Sequence, residues 1–187
     1  MAGTTPDRVG AIGDAAIEVI AAEGMRGLTH RAVDRHAGLP AGSTSYYART
    51  RAALLELAIA RMVELDNLDA DPPPGHLAEY LARAAHGAIT RGRTRMLARY
   101  EFALEATRRP ELRAVYDQGG LRIRRRCAEF LAAAGSPDPA RHTRLLIGWL
   151  EGTIFDALAG TGSVSPPGLA ELTTSAREVV TALALDT

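Results

Sequence analysis

Apolar residues recur every three or four positions over long stretches of this chain, and short breaks rich in Gly, Pro, Ser and Asp separate those stretches. A period near 3.6 marks helices that bury one face. Val9, Ile12, Ala16, Val19 and Ile20 make the first stripe, which the pattern starts at a Thr5 cap with Pro6 just inside, carries to about Ala22 and ends at Gly24. A short helix follows a Thr29 cap, with Ala32, Val33 and His36 on one side. Thr50 is read as the cap of a longer helix through Leu54, Leu55, Ile59, Met62 and Val63 to about Leu68. Asp71-Pro72-Pro73-Pro74 is the clearest linker signal. Beyond it, helices are predicted near 75–91, 93–108, 110–134, 138–160 and 167–184. No strand-like alternation, hairpin turn or internal repeat interrupts the series. The pattern therefore predicts an all-α chain of about nine helices.

One segment carries chemistry that points outward. After the Thr29 helix, Ala37-Gly38-Leu39 breaks the run, with Gly38 suited to positive φ and Leu39 as an apolar anchor. Pro40 is then expected in the first turn of a second short helix. Ala41, Gly42, Ser43, Thr44 and Ser45 are compact, and Tyr46 and Tyr47 end the helix with hydroxyls. A slim, polar helix of this kind suits the major groove of double-stranded DNA. Ser43, Thr44 and Ser45 are the candidates for base edges, with Ala41 and Gly42 allowing close approach. Thr29, Arg31, Tyr46, Tyr47 and Arg51 are the candidates for phosphates. The formal net charge is +0, so the chain is no general polyanion binder. Between Arg26 and Arg51, however, five arginines face the single acid Asp34, which makes a local basic surface.

The order Ile12…Ala15-Ala16…Ile20…Gly24…Leu28-Thr29…Val33…Ala37-Gly38-Leu39…Gly42-Ser43…Tyr46-Tyr47…Arg51…Leu54-Leu55 resembles the N-terminal DNA-binding domain of the tetracycline-repressor (TetR/AcrR) family. Two positions depart from the family pattern. Pro40 stands where a capping Ser or Thr is usual, and Ala48 replaces an aromatic residue, which predicts a looser joint after the recognition helix. The resemblance implies a helix-turn-helix domain over residues 1–50, a connector helix over 51–70, and a helical ligand-binding and dimerisation domain over 71–187. It also implies a homodimer on a palindromic operator, with a repressor released when a small-molecule effector tilts the connector helix.

In the second half, the helix near 138–160 is apolar round most of its surface, and Gly148 and Gly152 leave one face bare for a close helix neighbour. The resemblance implies that this helix and the last one pair with their twins, so Gly148, Gly152, Phe155, Leu172, Val179 and Val180 are expected at a dimer interface. The alternative is that these helices simply cover their own core. Tyr80, Met96, Tyr100, Tyr116, Cys127, Phe130, Trp149 and Phe155 form a polar-aromatic set of the sort that lines ligand cavities. Singly, each fits a packed core; together they make a candidate pocket whose ligand the sequence does not name.

Other chemistries find little support. The five histidines are scattered, and Cys127 has no Cys or His pair nearby, so no metal or cofactor is expected. No P-loop, dinucleotide fingerprint or nucleophile elbow appears, so no enzyme is expected. No signal peptide or membrane-length apolar run is seen, and the lone cysteine suits a reducing cytoplasm. A second function class remains beside the regulator: a helical protein-interaction or ligand-carrier dimer without sequence-specific DNA binding.

Overall fold

The computed structural model describes residues 5–65, 72–73 and 75–185. Its helices are α1 Thr5–Gly27, α2 His30–His36, α3 Ser43–Tyr47, α4 Arg51–Leu65, α5 Leu77–Ile89, α6 Arg93–Ala106, α7 Pro110–Ala133, α8 Pro139–Leu158 and α9 Leu169–Ala182. A 3-10 turn at Thr161–Val164 follows α8, and no strand occurs among the described residues. The all-α expectation holds, and each helix lies close to its predicted range. The first helix continues past Ala22, but Gly24 breaks it as expected, with φ 68 and ψ −177. Thr50 caps α4, its hydroxyl accepting from the Ala53 amide at 3.1 Å. The Thr5 side-chain cap, the end of the connector near Leu68, and Asp71 and Pro74 of the linker lie outside the described residues.

Packing gathers the chain into two units, one from 1–67 with 94–119, the other from 68–93 with 120–187. In the first unit, Ile12, Ala16, Val19 and Ile20 of α1 meet Val33 of α2 and Leu54, Ala58 and Met62 of α4 in one core. Ala98, Phe102 and Ala106 of α6 and Leu112 of α7 belong to that same core. Apolar periodicity shows which face of α6 is buried but not which neighbour buries it. α1 and α4 approach closely because Gly13 has no side chain: a Cβ there would stand 2.7 Å from that of Arg61. Arg61 then reaches back along α1, its Nε donating to Asp14 Oδ1 at 2.7 Å.

In the second unit, α5 lies along α9 and also packs on α8. Leu81, Ala82, Ala85 and Ile89 of α5 are buried with Leu172, Ala176 and Val180 of α9 and Leu146, Ile154 and Leu158 of α8. Alanines at the seam let helices come close. Polar links fasten the edges: Trp149 Nε1 donates to Ser175 Oγ at 3.1 Å, and Arg177 donates to Glu79 at 2.7 Å. Leu172 and Val180 were expected at a dimer interface, and here the expectation needs correcting. Both are buried within their own chain, so they have almost no surface left for a partner.

Candidate nucleic-acid interface

α2 begins as the sequence predicts. Thr29 is extended, and its hydroxyl accepts from the Ala32 amide at 3.1 Å. The helix ends at Ala37, Gly38 takes φ 63, and the Leu39 amide donates to the Asp34 carbonyl at 2.9 Å. Pro40 does not enter the next helix. It starts a turn, its carbonyl accepting from both the amide and the hydroxyl of Ser43, at 3.1 and 2.6 Å. Gly42 follows at φ 91 as the N-cap of α3. A glycine has no side chain to cap with, and α3 has five residues, too few to hold their shape unaided.

The missing cap comes from α2. Asp34 is 4% exposed and accepts three hydrogen bonds, from the Gly42 amide at 2.8 Å, the Thr44 amide at 2.8 Å and the Thr44 hydroxyl at 2.6 Å. Burial pushes the carboxyl up, but the bonds from Thr44 and Gly42 outweigh it and hold Asp34 below the usual carboxylate range. A carboxyl lowered on folding contributes stability above its ordinary value of 3.8, and that contribution is lost as pH falls through the lowered folded value. At the other end of α3, His30 Nε2 donates to the Ala48 carbonyl at 2.6 Å. Ala48 is buried in the core, so the joint read as loose is closed by a hydrogen bond instead.

These contacts divide α3 into two faces. Thr44 and the cap Ala48 are buried on the inner face, Tyr47 is half-buried, and Ala41, Gly42, Ser45 and Tyr46 are exposed, Tyr46 by 79%. Thr44 is therefore corrected from base reader to interior anchor: its side chain is fully buried and its hydroxyl is engaged by Asp34. Ser43 is half-buried with its proton on the Pro40 carbonyl, which leaves its oxygen as an acceptor. Arg51 is corrected too. Its guanidinium donates to the carbonyls of Met25 and Leu28, so it closes the end of α1 where a phosphate had been expected. Thr29, Arg31 and Arg49 remain on the exposed surface beside α3. Asp34 and His30 were missed by reading residues singly. Their spacing of four on α2 was the available signal, since it puts both on one side of the helix.

The candidate pocket residues fall in both units. Met96, Tyr100 and Tyr116 lie in the first, where Met96 is buried and the Tyr116 ring sits 5.7 Å from that of Phe102. Tyr80, Cys127, Phe130, Trp149 and Phe155 lie in the second, where burial pushes the Cys127 thiol up. Within that unit Trp149 is tied to α9, while Phe155 is 47% exposed on α8. Gly148 and Gly152 are exposed on α8, and Val179 is half-buried on α9. Among the described residues, no group of His, Cys, Asp and Glu could hold a metal ion, and no helix is long and apolar enough to cross a membrane.

No curated protein sequence matches the chain. Several solved structures are similar to it. One is a member of the TetR family from Streptomyces coelicolor, 29% identical with a TM-score of 0.68, the match covering 93% of this chain and 98% of that one. Another is the multidrug binding protein EbrR in complex with proflavin, 32% identical with a TM-score of 0.54 over 94% of this chain and 99% of that one. A transcriptional regulator from Saccharomonospora viridis in complex with choline shares the fold, with a TM-score of 0.77 at 15% identity over 95% and 97% of the two chains. Residues 72–185 match the model of the tetracyclin repressor-like C-terminal domain. Together with the helix-turn-helix seated on α1 and α4, that match makes the chain a member of the tetracycline-repressor family of DNA-binding transcriptional regulators.

Proposed function

We propose that the chain acts in the cytoplasm as a homodimeric repressor that leaves a palindromic operator when a small molecule binds it. The observation that carries this reading is the outer face of α3: small, polar and exposed, set in a segment whose five arginines outnumber its one acid, which is itself buried. Ser43 and Ser45 would read base edges, Ala41 and Gly42 would allow approach, and Thr29, Arg31, Tyr46 and Tyr47 would meet phosphates. Two copies of α3 related by a two-fold axis would then read two half-sites.

The dimer is supported by the exposed stripe Leu145, Gly148, Gly152 and Phe155, spaced by three and four along α8. Its two large residues are 46% and 47% exposed, and no atom lies within 4 Å of a Cβ placed on either glycine. A small-molecule effector is supported by the likeness to a multidrug binding protein. Gating would act through the shared core of the first unit. A ligand that prefers one position of α6 would move Phe102 against α1 and α4 and so shift the population of DNA-binding geometries.

Two substitutions test the division of labour on α3. Ser43→Ala is expected to change affinity by ~1–3 kcal/mol at one base position and to leave other sequences nearly unaffected. Tyr47→Ala is expected to weaken binding on every sequence while the dimer survives. Binding titrations against a panel of single-base variants separate the two. Equal losses on all sequences for Ser43→Ala would move that residue to the backbone set, and unchanged affinity for Tyr47→Ala would remove it from the phosphate set.

A further inference from the structure

We infer that His30 and Asp34 are positioning residues, a two-point clamp on α2 that fixes the tilt of α3 and thereby its discrimination between bases. The inference rests on the reading of α3 as the DNA-reading helix. Its basis is the way α3 is held. Five residues cannot keep their own orientation, and the N-cap Gly42 offers no side chain. The Asp34 carboxylate replaces that cap, collecting the Gly42 amide, the Thr44 amide and the Thr44 hydroxyl, all within 2.8 Å. His30, one turn earlier on the same side of α2, holds the Ala48 carbonyl at the opposite end. The two attachments span the helix from cap to cap.

Neither clamp residue competes with the outer face. Asp34 is buried, and His30 points at the backbone beyond Tyr47, so Ser45 and Tyr46 stay exposed. The clamp also explains the one acid in the basic segment. A carboxylate on that surface would repel phosphate, whereas one saturated by three donors inside the turn acts only on α3. Of the phosphate candidates, Tyr46 and Tyr47 move with α3, but Thr29 and Arg31 belong to α2 or its cap and do not depend on its tilt. Loosening the clamp therefore degrades base reading ahead of phosphate contact.

The test uses the full chain with a duplex enriched from a random pool, its single-base variants and an unselected duplex. Asp34→Asn puts an amide donor against the Gly42 amide, and Thr44→Val removes the hydroxyl at nearly constant shape. Each is expected to lose about tenfold or more on the enriched duplex and about twofold or less on the unselected one, within the usual range for a charge-assisted hydrogen bond. Thr44→Ser, which keeps the hydroxyl, should stay within about twofold of the parent on both. The double variant Asp34→Asn/Thr44→Val should lose no more than the worse single one, because both cut the same link. His30→Ala should lose discrimination without touching that link. Thermal unfolding accompanies each variant, and if Asp34→Asn fails to fold, Thr44→Val and His30→Ala decide. Parent-like discrimination in those two, or an equal loss on both duplexes, would overturn the clamp. A parent chain that enriches no duplex would instead remove the DNA-reading function itself.

Discussion

Phe102→Ala is expected to lower stability by about 3–5 kcal/mol, the usual cost of emptying a buried aromatic site. The ring is 1% exposed and lies 5.7 Å from that of Tyr116. It is the largest side chain that α6 contributes to the core built by α1 and α4, and its neighbours Ala98 and Ala106 are too small to fill the space it would leave. Urea unfolding followed by far-UV circular dichroism measures the change. A loss below ~1 kcal/mol would mean that α6 is not part of the core built by α1 and α4, and the proposed gating route through Phe102 would fail with it.

Ser45→Asp is expected to abolish operator binding with little effect on folding. Ser45 is exposed on the outer face of α3, where a helix in a groove would bring a new carboxylate against phosphate and base edges. Like charges brought together at an interface cost several kcal/mol, which corresponds to about a hundredfold or more in affinity. Because the position is exposed, stability should change by no more than about 0.5 kcal/mol. Fluorescence anisotropy with a labelled duplex reads the first quantity and thermal unfolding the second. Affinity within about twofold of the parent would show that another surface reads the DNA.

Much of this architecture was legible because helices announce themselves locally. The stripe from Ile12 to Ile20, the Thr29 and Thr50 caps and the breaks at Gly24 and Gly38 each depend on residues within a turn or two, and the structure keeps all of them. What escaped depends on partners distant in the sequence. Thr44 reads as an outward hydroxyl until Asp34, ten residues earlier, is found facing it. Arg51 matches a phosphate contact until its guanidinium is seen on carbonyls more than twenty residues away. Leu172 and Val180 form an apolar stripe that would suit a second copy equally well, but α5 already covers them. Pro40 has the φ of a helix start, yet Gly42 at φ 91 delays the helix to Ser43. Periodicity identifies a face; only tertiary packing identifies what it meets.

Selection of binding sites from a random DNA pool by the purified chain, at near-physiological salt, shows whether the chain reads sequence as a dimer. The expected result is an enriched palindrome whose half-sites lie about one helical turn apart, read by two copies of α3. Weak, salt-sensitive binding with no enriched sequence would contradict it, because a basic surface alone produces that behaviour.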